Sequence, residues 1–259
     1  METAQALVAV DVGNSRIKLG LFPRPLPDGM PEPSAWLSLE PDRSPADIDG
    51  WLPAKPSAYE WLVASVNRPA ASRLLQYLAA RGAAVRQLTA KDLPLEIAVR
   101  QPELVGIDRL VAAIAANRLR APDRPAIIAD VGTAITVDLV SAEGVFRGGA
   151  ILPGIAISAR ALDQFTDLVP LVPVSELAEP QPPLGTSTAE AVRSGLYWGA
   201  IGAVRELARQ LDDETTGAEL FLTGGAAPAV ARLLLDRQGQ PARWVPHLVL
   251  GGIVLSAGH

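Results

Sequence analysis

Two periods of apolar and polar positions alternate along this chain. Residues 6–10 (ALVAV) and Ile17–Phe22 are short apolar runs around the polar turn DVGNSR, which predicts strand, tight turn, strand. Nine prolines between Pro23 and Pro56 predict mostly loop, with one short edge strand at Ala35–Leu39. Trp61–Val66 is apolar and β-branched, a buried strand. Leu74, Leu75 and Leu78 fall at helical spacing in Pro69–Arg81, with Pro69 in the first turn and Gly82 as the stop. Ala84–Leu88 predicts a strand, and Asp108 precedes a helical run that ends near Pro122. Ala126–Ala129 and Ile135–Val140 predict strands around the turn DVGTA, and 148–154 a Gly/Pro turn region. Beyond lie helices at Ala156–Phe165 and Ala189–Leu211, with a Pro-rich loop between them. A strand at Glu219–Leu222 ends in Thr223-Gly224-Gly225, a helix follows at Pro228–Asp236, and a strand-to-helix passage fills 242–258.

The pattern contains an echo. VAVDVGNSRIKLG (8–20) is matched by IIADVGTAITVDL (127–139): strand, Asp-Val-Gly, small polar residue, strand. A repeat of this length predicts a duplicated α/β chain, with units at 1–122 and 123–259 and a cleft between them.

Composition narrows the chemistry. The 259 residues contain no cysteine and only two histidines, which excludes a disulfide framework, a thiol nucleophile and a multi-His metal site. A formal net charge of −5 argues against a nucleic-acid partner. No signal peptide and no apolar run of about 20 residues is visible, so the expectation is a cytoplasmic protein without a membrane span.

The candidate chemistry sits in the turns. Backbone N–H groups of Gly13, Asn14 and Ser15 suit an anion-binding nest, and Asp11 at the strand end suits Mg²⁺ held through water. By itself such a turn is also an ordinary hairpin. The matching turn at Asp130–Thr136 favours nucleotide phosphates gripped by both turns, and the bare backbone of Gly224-Gly225 suits a flat base and ribose. Neither GxGxxG after the first strand nor GxxxxGK[ST] is present.

The ordered set DVGNS (11–15), GIDR (106–109), DVGTAITVD (130–138), GGAILPG (148–154) and TGG (223–225) resembles type III pantothenate kinase. That family belongs to the superfamily of acetate and sugar kinases, heat-shock ATPases and actin. The likeness covers nearly the whole chain. It implies two duplicated RNase H-like (actin-like ATPase) domains, a homodimer, ATP, Mg²⁺, and a monovalent cation such as K⁺ or NH₄⁺. The reaction implied is phosphorylation of pantothenate to 4′-phosphopantothenate, the first step towards coenzyme A.

The resemblance assigns ATP to Asp11, Val12, Gly13, Asn14, Ser15, Arg16, Ile17 and Lys18, to Thr133, and to Gly224 and Gly225. It assigns the acceptor to Val99, Gly106, Ile107, Asp108, Arg109 and Thr188, and the monovalent cation to Asp130. Asp108 is the expected base; it also reads as the N-cap of its helix, and the two roles are compatible. Thr188 reads as a substrate contact or as part of a local Ser187–Glu190 capping box. Two positions depart from the family: Val99 where an aromatic residue is frequent, and Ser187 where Asn is. A regulatory ATP-binding protein or transcriptional accessory factor on this fold, and an ATPase without an acceptor, are the rival functions.

Overall fold

A computed structural model describes residues 5–177, 179–215, 217–227, 234, 239 and 241–258. Two compact units emerge: Met1–Leu119 with His247–His259, and Arg120–Pro246.

In the first unit, strands β1 (Leu7–Val12), β2 (Ile17–Phe22), β3 (Ala35–Leu39), β4 (Glu60–Ser65) and β5 (Ala84–Gln87) form one sheet. Their order is β3-β2-β1-β4-β5. Strand β2 is antiparallel to both β1 and β3, whereas β1, β4 and β5 run parallel. Every residue of β1 is buried, because both faces of the sheet are covered. Val8, Val10 and Val12 join Ile48 of helix α1 (Asp47–Trp51) and Leu74 and Leu78 of α2 (Arg68–Ala79) in one core. The alternate residues Leu7, Ala9 and Asp11 project from the other face. There β1 meets α6 (Leu248–Leu255), which also packs on α3 (Ile107–Leu119).

The last segment departs from the expected 123–259 boundary, since α6 belongs with the first unit. The physical reason is its composition. LVLGGIVL is apolar on every side, and Leu248–Val254 are all buried between the first sheet and α3. Helix α1 was also not expected in the Pro-rich loop. Pro45 and Pro53 lie outside it, and a fully buried Ile48 holds it.

The helix crossing of α6 on α3 depends on Gly252. A Cβ there would overlap the carbonyl oxygen of Val111. Gly252→Ala is therefore expected to destabilise the chain by about 1–3 kcal/mol, the usual cost of overpacking. Urea unfolding measures this, and an unchanged midpoint would show that the two helices separate freely.

The second unit repeats the plan. Strands β6 (Ala126–Val131), β7 (Ala134–Val140), β8 (Phe146–Pro153), β9 (Glu219–Thr223) and β10 (Arg243–Trp244) follow the order β10-β9-β6-β7-β8. The strand directions match those of the first sheet pair for pair. The echo of Asp11 and Asp130 is thus an equivalence of β1 and β6, and the fold is α/β with two similar units. Ile127, Ala129 and Val131 pack under α4 (Ile155–Phe165) and α5 (Thr188–Thr215).

Residues 148–154, expected as a turn, are mostly strand β8. Its glycines misled the pattern: Gly149 lies opposite Asp138, and the missing side chain leaves room for that buried carboxylate. The helix expected at Pro228–Asp236 lies outside the described residues apart from Leu234. Among the described residues no helix is long and apolar enough to cross a membrane.

Candidate active site

Strand β1 ends in the buried carboxylate of Asp11, and the chain turns back through Gly13–Arg16 into β2. The N–H of Gly13 closes that turn on the carbonyl of Arg16 at 3.0 Å. Asn14 and Ser15 are exposed at its tip. Val12 and Ile17 bury their side chains and offer only backbone. Arg16 is turned onto Glu40, 3.4 Å away at the surface. Lys18 lies directly opposite Asp11 in the antiparallel register.

The turn is braced from below by Asn67. Its side-chain amide donates to the Gly13 carbonyl at 3.4 Å, and its Oδ1 accepts from Ala70 N–H at 3.1 Å as the N-cap of α2. Sequence inspection missed this residue. The available signal was an Asn two residues before Pro69, the expected pattern for a helix start.

The segment Gly106–Arg109 stands beside this turn. A Cβ on Gly106 would lie 3.5 Å from Val66 Cγ1, and the Val66 N–H donates to the Val12 carbonyl at 3.0 Å. Asp108 is therefore brought to the carboxyl ends of β1 and β4, where ligands of open α/β sheets bind. Gly106 is required for its posture, since a Cβ there would stand 2.5 Å from Asp108 Oδ1.

Asp108 is the second residue of α3 rather than the residue before the helix, so it is not the N-cap as expected. Its Oδ1 accepts from the Arg109 N–H at 2.9 Å. Burial raises the Asp108 carboxyl above the usual range, opposed by the Arg109 N–H and then by the Arg109 charge. A carboxyl so raised is a better proton acceptor than a free one. Ile107 points into the core and Val99 is half-buried.

The second unit carries the other turn. Asp130 ends its run next to Thr223 of β9 and opposite Thr136 of β7. Its carboxylate and the Val131 carbonyl converge on Gly224, whose φ of +99° suits only glycine. Gly225 has open space above it, a bare stretch of backbone. The Thr133 carbonyl accepts from Gly154 N–H at 3.1 Å, which ties the GGAILPG segment to the turn.

Thr188 opens α5, but the cap is formed by its neighbours. Ser187 Oγ accepts from Glu190 N–H at 3.3 Å, and the Glu190 carboxylate accepts from Ser187 N–H at 3.2 Å. Thr188 instead lines a cavity of about 650 Å³ with Pro153, Leu152, Ile155 and Gly195. The structure thus joins Thr188 to the end of the GGAILPG segment. Asp108 and Arg109 belong to the first unit, and Asp130, Thr133 and Thr188 to the second.

Among the described residues no cluster of three or more Asp, Glu or His forms a metal cage. Asp11 and Asp130 are single hard-oxygen donors at turns, which fits cations held chiefly by a ligand's phosphates and water.

A family model for type III pantothenate kinase matches residues 7–210. The chain belongs to the type III pantothenate kinase family. It is 36% identical over 244 residues to the type III pantothenate kinase of Rubrobacter xylanophilus, spanning 87% of this chain and 89% of that one. The Alkalilimnicola ehrlichii type III pantothenate kinase is 35% identical over 249 residues, 94% of each chain. Among solved structures, a putative 2-dehydro-3-deoxygalactonokinase from Sinorhizobium meliloti superposes with a TM-score of 0.56. It covers 97% of this chain and 98% of its own at 16% identity, a likeness of fold alone. Every motif of the family lies in a described segment, and the match to the family model covers all of them except TGG at 223–225.

Proposed function

We propose that this chain transfers the γ-phosphoryl group of ATP to the primary hydroxyl of pantothenate, giving 4′-phosphopantothenate and ADP. It is a kinase of coenzyme A biosynthesis. The observation that carries the reaction is the Asp108 carboxylate held by Gly106 against Val66 at the end of β4, in a chain of this family.

Asp108 orients the hydroxyl and receives its proton. The hydroxyl oxygen bonds to the γ-phosphorus as the bond to the β–γ bridging oxygen breaks, and ADP leaves with the electron pair. Arg109 contacts the acceptor's polar groups, together with Gly106, the Ile107 backbone and Val99. Backbone groups of Gly13, Asn14 and Ser15, the Lys18 ammonium and Thr133 hold phosphates. Gly224 and Gly225 offer bare backbone to the nucleoside. Asp11 holds Mg²⁺ through water, and Asp130 with the Val131 carbonyl holds K⁺ or NH₄⁺. These cations, when bound, offset charge on the phosphoryl oxygens. The transition state is loose, so positioning contributes more than proton abstraction.

Thr188 of the second unit offers its hydroxyl to the acceptor. The family also implies a homodimer. Exposed Phe165, Leu168 and Leu184 support it, since apolar residues so open to water mark association surfaces. The cytoplasm is the compartment that fits such an enzyme.

ADP release with and without pantothenate, in K⁺ and in Na⁺ buffer, tests the proposal. Release should require pantothenate and be faster in K⁺. Equal release without pantothenate would identify an ATPase and overturn it.

A further inference from the structure

Strand β2 places Lys18 and Gly20 on one face. In register, Lys18 lies between Asp11 of β1 and Ser38 of β3, and Gly20 lies beside Trp36 of β3. Gly20 has no side chain, and Phe22, Pro33 and Leu250 of α6 share the space, Leu250 3.2 Å from where a Cβ would stand. Helix α6 therefore lies over the face on which Lys18 and Trp36 are diagonal neighbours. The residue at its start is His247, where the chain re-enters the first unit. Its imidazole meets the Trp36 indole with ring centroids 5.7 Å apart and planes at 50°. The charged groups that face it are Lys18 of β2 and Glu32 from the segment before β3. Lys18 is half-buried and makes no ion pair among the described residues.

We propose that His247 is a positioning residue of the phosphate-donor site. Seated on Trp36, on the face of β2 that carries Lys18, it steers the Lys18 ammonium towards the polyphosphate and takes up a proton as that anion binds. This rests on the reading of Lys18 as an ATP contact.

The electrostatics set the sign. Burial, then the Lys18 charge, hold the imidazole below its usual range, with Glu32 opposing. A polyphosphate on Lys18 cancels the like-charge repulsion and favours the imidazolium. Nucleotide binding therefore raises the His247 pKa. By reciprocity, nucleotide binds more tightly as pH falls through the interval between the free and bound values. A shift of about half to one unit corresponds to roughly three- to tenfold in affinity.

The chain's two histidines make the test direct. His247→Gln removes one imidazole signal from the proton NMR spectrum and assigns it. The wild-type midpoint should lie below that of free histidine and move up by about half a unit or more with MgADP. Lys18→Gln should raise it in the free protein. Calorimetry should find MgADP binding about three- to tenfold tighter below the interval than above it, beyond the change seen in His247→Gln. The nucleotide's own titration is common to both proteins and cancels. The KM for ATP should rise in His247→Gln, while that for pantothenate stays.

A midpoint that ignores MgADP, or that ignores Lys18→Gln, overturns the inference. If wild type then still releases ADP with pantothenate, only His247's role fails. If MgADP does not bind at all, the kinase reading fails with it.

Discussion

Asp108→Asn is expected to lower kcat by roughly 10²–10⁴, the usual contribution of a positioned base, while ATP and pantothenate still bind. The amide keeps the shape and can still accept the Arg109 N–H, so only the proton-accepting role is removed. The pH profile adds an independent check. Burial raises the Asp108 carboxyl, so the acidic limb of kcat/KM should lie above the free-aspartate value of about 3.9. Rate falls as pH drops through that limb, because the protonated acid accepts nothing. Stability runs the opposite way. A carboxyl raised on folding contributes stability below its unfolded pKa, and that contribution is lost as pH rises through the folded value. At neutral pH the Asn variant should thus be no less stable than wild type. A variant that lost activity only by unfolding would show a lower melting temperature instead. Wild-type turnover in a folded Asp108→Asn protein would remove the base assignment.

The chain declared its duplication openly because the echo involves two matched hairpins, each a local feature. Ile17–Phe22 and Ala35–Leu39 match their strands end to end, since turn residues bound them on both sides. What stayed hidden depends on contacts distant in sequence. The GGAILPG segment looks like a turn until Asp138 is placed opposite Gly149, which explains glycine inside a strand. Helix α6 carries no local mark of its unit, because an all-round apolar helix is buried wherever it docks. The N-cap reading of Asp108 failed on geometry. The residue's position inside α3 follows from Gly106, whose bare backbone admits the carboxylate. Asn67 was readable as a helix start, but its brace on the Gly13 turn needs β4 paired beside β1.

Gly224→Ala should separate a cation site from a mere turn. At φ +99° an alanine is strained, and its Cβ would stand 2.5 Å from the Val131 carbonyl while overlapping the Asp130 carboxylate. Such strain costs on the order of 1–3 kcal/mol. The chain can relieve it by moving Asp130, the group assigned to the monovalent cation. The expected result is a loss of about ten- to hundredfold in kcat/KM for ATP, the same energy read as a rate. The K⁺ concentration for half-maximal rate should rise with it, and the KM for pantothenate should stay. Gly225→Ala is the control for backbone stability: nothing lies near its Cβ, so its melting temperature should match wild type. A Gly224→Ala enzyme with a lower melting temperature but unchanged K⁺ dependence would make the turn purely structural. The assignment of the cation to Asp130 would then fall, because displacing a carboxylate that held the ion would have changed the K⁺ dependence.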